Sequence, residues 1–506
     1  MALLSKLASQ TFWYGVPTIL NRFLGYGLAM VLYGIFKPEV TADNAQAYAI
    51  IPFLNILFTY GLETSYFRFS SEVDGKKLYN TFSVAIITTT IIGVLLLYTF
   101  SSFFTHLLKI DDPSYVKWMA LIVGLDTLAV IPLCKLRQAQ KPKKFALVNT
   151  VSVVVMAFFV WYFLIFCRGA ALKNETGLYQ YFYTPSVGIG YFLIANILGS
   201  AAKLLMVYKE ILSVKLAFDA ALLKKVLRYS YPFIIIGTAG MVNEMVSRLA
   251  YAWIVTGPNV KHELGVLAAN FKIAVLVTIF IQIFKMAAEP FFFSIAKNTD
   301  AKKTYAKVMK FFVIICCFIF LTVALFVNVF KLLIAWKHPE YAEGIGIIPI
   351  LALGYVCIGV YYNLSIWYKL TNNTLMGARI TVEASVIAVV SNVVLIKLFN
   401  MGNYQYYPGY FGAAWATFIT YLYLLIRCYT LGQKYYKVPY AYKKLTAYVV
   451  ICVLLLFVQK LFVWLTSMFT GNSSDLYYHI YGLLLFIAFA WFISKVEAKE
   501  IAKIRK

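Results

Sequence analysis

Apolar residues recur along this chain in runs of about 20, separated by short polar segments from one end to the other. A run of that length is what an α-helix needs to cross the hydrocarbon core of a bilayer. Fourteen such runs can be distinguished, and the first extends from Thr11 to Phe36. Backbone hydrogen bonds must close internally in lipid, and these runs are too long for barrel strands. The pattern predicts an all-α polytopic membrane protein of about 14 transmembrane helices.

Composition excludes an ordinary soluble protein. Of the 506 residues, 62% are hydrophobic and 13% are charged, against about 45–50% and about 25% in soluble domains. The polar interruptions reach only about 20 residues, which is too short for an extramembrane domain. The first apolar run is too long for a signal peptide and lacks a small-residue cleavage site, so we expect it to be a retained helix.

The net charge of +25 is distributed unevenly between the two sets of alternating loops. One set carries 31 Lys and Arg residues, and the other carries nine. Because cytoplasmic loops of membrane proteins are enriched in Lys and Arg, this asymmetry places both termini in the cytoplasm. It also accounts for the positive charge without nucleic acid as a partner.

A shift of 226 residues superposes several polar features of the sequence. Glu63 falls on Glu289, Arg22 on Arg248, and the Lys-rich loop that begins at Asp74 on the one at Asp300. The shift spans six helices, so it predicts two lobes of the same orientation, related by a pseudo-two-fold axis along the membrane normal. We expect an N-terminal lobe over residues 1–215, a C-terminal lobe over 216–437, and two added helices with a cytoplasmic tail over 438–506.

Three basic residues lie inside predicted helices, where a charge costs at least about 2.5–3.5 kcal/mol and is usually functional or paired. Arg22 and Lys272 have no acidic residue at helical-neighbour spacing, whereas Arg248 follows Glu244 by four residues. A guanidinium stays charged in any protein environment and binds anions well. We therefore predict that Arg22, Lys272 and Arg248 bind an anionic substrate. An ion pair with a distant helix is the alternative for Arg22, and a local salt bridge with Glu244 is the alternative for Arg248.

The acidic residues inside the predicted helices are candidates for coupling or gating. Glu244 is expected mainly to orient Arg248, and Lys285 and Glu289 are spaced to form a pair near the cytoplasmic end of helix eight. Glu63 in helix two and Asp126 in helix four could each bind a proton or coupling ion. A hydrogen-bonded structural role is the alternative for both.

Enzyme chemistry is not visible in the sequence, and no cofactor or metal is predicted. The chain has no phosphate-binding glycine loop and no nucleophile elbow, and its seven cysteines form no CxxC pair. Four scattered histidines do not suggest a metal site. Asp111-Asp112 precedes Pro113 and is typical of a turn. Such an acidic pair could also belong to a metal-dependent glycosyltransferase, but the sequence has no large outer domain to bind a sugar donor.

Several segments resemble the polysaccharide-transporter family of oligosaccharide flippases, which belongs to an exporter superfamily with lipid II flippases and multidrug antiporters. Tyr60–Phe69 is similar to the second helix of that family. The other segments that carry the resemblance, in order, are Tyr229–Arg248, Asn270–Lys272, Ala288–Phe293, Trp367–Thr371 and Gly409–Ala416. Ser247 departs from the commoner pattern, which has an acid there, so the local charge would be more positive.

The resemblance implies two six-helix lobes around a central cavity that opens alternately to either side. It implies a non-enzymatic flippase in the bacterial inner membrane, moving an undecaprenyl-pyrophosphate-linked oligosaccharide for polysaccharides such as O-antigen of lipopolysaccharide. Cavity arginines of related lipid flippases are associated with the pyrophosphate, and Arg22 occupies a comparable place. Membrane lipids and polysaccharide-assembly proteins would be its partners, and the chain would act as a monomer.

Two other functions remain open from the sequence. A cation-coupled drug antiporter of the same architecture would need cavity carboxylates that dominate the basic residues. A membrane-embedded glycan polymerase or ligase would be expected to carry a large periplasmic loop, whereas every outer loop here is short.

Overall fold

The computed structural model describes residues 23–70, 72–296, 298–371, 373–401, 408–470, 475–498 and 500. Over these residues the chain is helical, without β-strands. Thirteen helices within them are long and apolar enough to cross a membrane, and a shorter apolar helix precedes them at Phe23–Ile35. The prediction of an all-α polytopic membrane protein with about 14 helices is confirmed.

We number the helices α1 to α14 in chain order, with α1 at Phe23–Ile35. The remaining helices are α2 (Pro38–Phe69), α3 (Gly75–Thr99), α4 (Pro113–Gln138), α5 (Pro142–Leu172), α6 (Pro185–Met206), α7 (Ala220–Ile254), α8 (Val260–Ala274 and Val277–Ile295), α9 (Ala301–Leu325), α10 (Ile347–Leu370), α11 (Thr374–Met401), α12 (Gly409–Tyr435), α13 (Tyr442–Phe469) and α14 (Asp475–Val496).

Several helix starts follow from local capping chemistry. The carboxylate of Asp74 accepts from the backbone N–H of Lys77 at 2.9 Å, which begins α3. Asp112 accepts from Ser114 N–H at 2.7 Å, and Pro113 occupies the first turn of α4, where a missing N–H is harmless. Of the acidic pair before Pro113, Asp112 therefore caps a helix.

The membrane helices α2 and α8 are broken rather than continuous. In α2, Tyr60 and Gly61 have φ values of 33° and 76°, a left-handed conformation that favours glycine. The same Gly61 lies against α7, where an added Cβ would come within 3.1 Å of the Ser230 carbonyl oxygen. In α8, the helix is interrupted between Ala274 and Val277.

The described chain forms two compact units. Unit 1 comprises the described residues of Met1–Ala268 and Ser385–Gly409, and unit 2 those of Ala269–Ala384 and Tyr410–Lys506. Helices α8 and α11 are thus each divided between the two units. In unit 1, side chains of α1, α2, α4, α5 and α6 share one buried cluster. The division into lobes at residue 215 remains a prediction.

The 226-residue offset seen in the sequence recurs in the helices. Both α3 and α9 have 25 residues, and Gly75 and Thr99 precede Ala301 and Leu325 by 226 positions each. Tyr79 and Tyr305, at the same offset, each donate a hydroxyl hydrogen bond to a backbone carbonyl oxygen within their own unit.

The two additional helices are fixed to α9 by buried polar contacts. Glu497, just after α14, is 2% exposed and accepts from Lys310 of α9 at 2.8 Å. Lys444 and the Tyr448 hydroxyl of α13 lie 2.6 Å from its other oxygen. Burial alone would raise the pKa of Glu497, but these hydrogen bonds lower it from 4.5 to about 2. The carboxylate is therefore ionised, and its contacts connect the end of α14 to α9 and α13.

Candidate functional site

Arg22 lies outside the described residues, which begin at Phe23 in the middle of the first apolar run. Its proposed role therefore rests on the sequence. In the described part of α1, Tyr33 is 5% exposed.

Arg248 is half-buried on α7. Its Nη2 atom lies 2.8 Å from the Met245 sulfur. Asn243 and Ser247, which flank it on α7, are buried at 6% and 3% exposure. The structure thus places this guanidinium in a partly polar environment inside unit 1, where an anionic ligand would gain charge-assisted hydrogen bonds.

Glu244 does not pair with Arg248, contrary to our expectation. The carboxylate is exposed, and it forms no ion pair with any residue that the structure describes. The i,i+4 spacing only makes such a pair possible, and Arg248 instead turns towards Met245. Within the described part of the chain, Glu244 is therefore a membrane-helix acid that no cation compensates.

Lys272 is half-buried at the end of the first segment of α8. Its neighbours Phe271 and Ile273 are 2% and 0% exposed. The helix is interrupted two residues later, so Lys272 lies in its last turn, where a cation interacts favourably with the helix dipole. Lys272 belongs to unit 2, whereas Arg248 belongs to unit 1.

In unit 1, two of the candidate acids are neutralised by cations of other helices. Glu63 of α2 lies 3.1 Å from Arg137 at the end of α4. Asp126 of α4 lies 2.6 Å from Lys203 of α6 and accepts a second hydrogen bond, of 3.0 Å, from Ser200. These contacts favour the structural alternative for Asp126, since both its partner groups come from one neighbouring helix.

The expected pair between Lys285 and Glu289 in unit 2 does not form either. Glu289 instead pairs with Lys369 of α10 at 2.6 Å, and Lys285 lies over the Tyr362 ring at 4.3 Å from its centroid. Each side chain thus contacts a residue of α10, and the i,i+4 spacing within α8 does not lead to an ion pair. The Glu289–Lys369 pair matches the Glu63–Arg137 pair: each joins the second helix of its half to the fourth.

A cluster of charges that sequence reasoning missed links α2 to the start of α8. His262 Nδ1 lies 2.6 Å from Glu39, and Lys261 contacts both Asp43 and Asp111, the latter at 3.1 Å. We call these five residues the outer cluster, because the loop charges predict that this end faces the periplasm. In the sequence, the i,i+4 spacing of Glu39 and Asp43 places two acids on one face of α2. This spacing does not identify their partners His262 and Lys261, which lie more than 200 residues away.

The backbones of α2 and α8 come into direct contact beside the outer cluster. A Cβ on Gly265 would overlap the carbonyl group of Pro38, so only glycine permits this approach. The structure therefore combines three charged contacts and a close backbone contact at this end of unit 1.

Other site chemistry is not apparent in the part of the chain that is described. No three His, Cys, Asp or Glu side chains are grouped there to hold a metal ion. The seven cysteines are free and buried.

Residues 7–296, more than half of the chain, match the sequence profile of a family described as polysaccharide biosynthesis protein. The chain belongs to this family. The resemblance inferred from the sequence is thereby confirmed. None of the curated proteins compared with the chain matches its sequence significantly.

This chain of the polysaccharide biosynthesis family is similar in fold to several solved transporter structures. It is similar to the lipid II flippase MurJ in an inward-closed conformation, with a TM-score of 0.67 and 18% identity over 96% of this chain and 99% of that one. It is similar to an inward-facing multidrug resistance MATE transporter, with a TM-score of 0.64 and 12% identity over 85% and 95%. The Vibrio cholerae MATE transporter VcmN in its bent form gives 0.56 and 12% over 88% and 100%. At these identities the likeness establishes the fold, which is that of transporters and flippases.

Proposed function

We propose that this protein is a flippase that moves an undecaprenyl-pyrophosphate-linked oligosaccharide from the cytoplasmic to the periplasmic leaflet of the bacterial inner membrane. The product would serve cell-surface polysaccharide synthesis, such as that of O-antigen. Membership of the polysaccharide biosynthesis family is the observation that carries the proposal. The fold, shared with a lipid II flippase, supports a lipid-linked cargo.

The arrangement of charges favours an anionic cargo. Three candidate acids each form an ion pair with a Lys or Arg of their own unit: Glu63, Asp126 and Glu289. Arg248 and Lys272 are the basic candidates inside the membrane helices, one in each unit, together with Arg22 in the sequence. A pyrophosphate that loses its hydration shell needs such charge-assisted donors.

The membrane potential would assist export of this cargo. With the cell interior negative, outward movement of two negative charges is favourable by about 2 × 2.3 kcal/mol per 100 mV if no counter-ion moves with them. Transport by alternating access would then need no ATP-binding motif. The outer cluster would have to separate for the periplasmic side to open.

The test is a leaflet-accessibility assay of lipid-linked glycan, with the membrane level of each variant measured. Arg22→Ala and Lys272→Ala should each reduce flipping strongly. Arg22→Lys should also impair it, because an ammonium lacks the bidentate fork that fits phosphate oxygens. Lys272→Arg should be tolerated better. Lys460→Ala is the matched control, since it removes an exposed cation from α13. Parental rates for both alanine variants would place the pyrophosphate site elsewhere.

A cation-coupled antiporter is the second candidate, and one observation favours it. Glu244 is a membrane-helix carboxylate without an ion-pair partner among the described residues, as a proton or cation site requires. If Glu244→Gln impairs transport more than Arg22→Ala at equal abundance, the antiporter is the better interpretation. Some members of the same fold class are multidrug transporters.

A further inference from the structure

A cavity of about 430 Å³ opens in unit 1, where the connection between α3 and α4 meets the loop between α7 and α8. Both segments lie on the side that the loop charges assign to the periplasm. The volume falls within the range of about 300–1,000 Å³ of small-molecule sites. This cavity is separate from Arg248 and Lys272, neither of which lines it.

One end of the cavity carries hydrogen-bond donors. Lys109 lies 4.7 Å from the centroid of the Trp253 ring and forms no ion pair with a described residue. The ring of His106, another lining residue, has no hydrogen-bond partner in the described part of the chain. The Trp253 ring is not part of the cavity lining, so at this end a ligand would meet Lys109 and His106.

The other end of the cavity carries acceptors held in place by Lys261. The ammonium of Lys261 lies 3.1 Å from the Asp111 carboxylate and also contacts Asp43. Asp111 is 78% exposed, so its remaining lone pairs face the cavity and solvent. Thr256 lines the wall and can both donate and accept.

We propose that this cavity binds one or two sugar units of the translocated oligosaccharide, which rests on the proposed function for the identity of the cargo. Sugar hydroxyls both donate and accept, so they can satisfy Lys109, Thr256 and Asp111 together. A carboxylate substituent would lie towards Lys109. An acyl chain would leave these polar groups unpaired, and a phosphate ion alone would fill little of the space.

The experiment measures protection of one introduced thiol in the purified full-length protein. All seven native cysteines are buried, so a maleimide should label the exposed position of Thr256→Cys selectively. N-acetylglucosamine, glucuronic acid and inorganic phosphate are the probes. Either sugar should slow labelling of Thr256→Cys and leave Ser186→Cys, an exposed outer control, unchanged. Adding Lys109→Gln should raise the half-protecting sugar concentration about tenfold, as expected for loss of a charged hydrogen-bond donor.

Lys117→Gln is the matched control, because Lys117 also lies over an aromatic ring, Tyr98, but does not line the cavity. It should leave protection unchanged. Absence of protection by both sugars, equal protection by phosphate, or equal effects of the two lysine substitutions would each overturn the proposal. Labelling requires no transport, so failure of the flippase assay with sugar protection intact would count against the proposed function alone.

Discussion

Among the acids that the structure describes, Glu497 is the most deeply buried, and its carboxylate accepts from several donors. Glu497 receives hydrogen bonds from two lysines and a tyrosine, and Lys310 is itself 8% exposed. Removing one partner from such a group leaves buried charges uncompensated, which is far more costly than losing an exposed ion pair.

Glu497→Gln should lower the free energy of unfolding by about 3–5 kcal/mol. Glu500→Gln is the control, since Glu500 also contacts Lys310 at 3.0 Å but is 40% exposed, and it should cost at most about 1 kcal/mol. Thermal unfolding of the purified proteins measures both. Equal effects would show that burial does not determine the contribution of Glu497.

The same contact predicts a pH dependence. The pKa of Glu497 is lowered from 4.5 to about 2, so its stabilising contribution is fully present above about pH 4.5 and is lost as the pH falls towards 2. The stability difference between the native chain and Glu497→Gln should therefore shrink across that interval. A constant difference down to about pH 2.5 would contradict the assignment.

At this scale the sequence identified charged residues but not their partners. Glu63, Asp126 and Glu289 could be selected because ionisable groups are costly in lipid. Their partners Arg137, Lys203 and Lys369 lie 74 to 80 positions away, and only the folded chain brings them together. Local spacing suggested Glu244–Arg248 and Lys285–Glu289, and both pairings were wrong.

At the scale of the helix, one ion pair fixes α8 to α10. Glu289→Lys should impair membrane abundance or transport by placing a second ammonium against Lys369, and the double variant Glu289→Lys/Lys369→Glu should recover most of the loss. Immunoblotting and the leaflet assay measure the two quantities. No recovery in the double variant would mean that Glu289 acts through something other than Lys369.

The Glu63–Arg137 pair gives an internal comparison for this experiment. Its side chains are 45% and 36% exposed, against 37% and 28% for Glu289 and Lys369. Because solvent screens exposed pairs more strongly, Glu63→Gln should have a smaller effect than Glu289→Gln.

The contact between α2 and α8 depends on a glycine, which gives a second prediction for these helices. Gly265→Ala should push α8 away from Pro38 and favour separation of the outer cluster. Cross-linking of Glu39→Cys with His262→Cys by a short bifunctional reagent should fall several-fold. Gly240→Ala is the control, because a Cβ there meets no atom within 4 Å. Unchanged cross-linking in Gly265→Ala would show that α8 can shift without opening the contact.

Hydropathy alone predicted nearly every helix, because a bilayer imposes one length on all of them. It did not predict the breaks at Tyr60–Gly61 and at Val275–Leu276, since apolar residues continue through both. Nor did it predict that α8 and α11 would each contribute to two compact units. Those features depend on packing between distant segments, which periodicity does not record.

For the whole molecule, the loop charges predict the orientation in the membrane. Thr256→Cys should react with a membrane-impermeant maleimide in intact cells, whereas Leu216→Cys, at a 94% exposed position, should react only after permeabilisation. The native chain, with its seven buried cysteines, supplies the background. The reverse pattern would place both termini outside.

The equal lengths of α3 and α9 have a consequence for how this chain tolerates insertions. A connection of 13 residues follows α3, whereas 21 follow α9 before the next membrane helix begins. The thickness of the hydrocarbon core sets the length of a membrane helix, whereas a connection in water can lengthen without disturbing the helices that it joins. The two halves therefore differ by eight residues between these helices and their successors, and an epitope tag placed between Leu325 and Ile347 should be accommodated where one inside α9 would not.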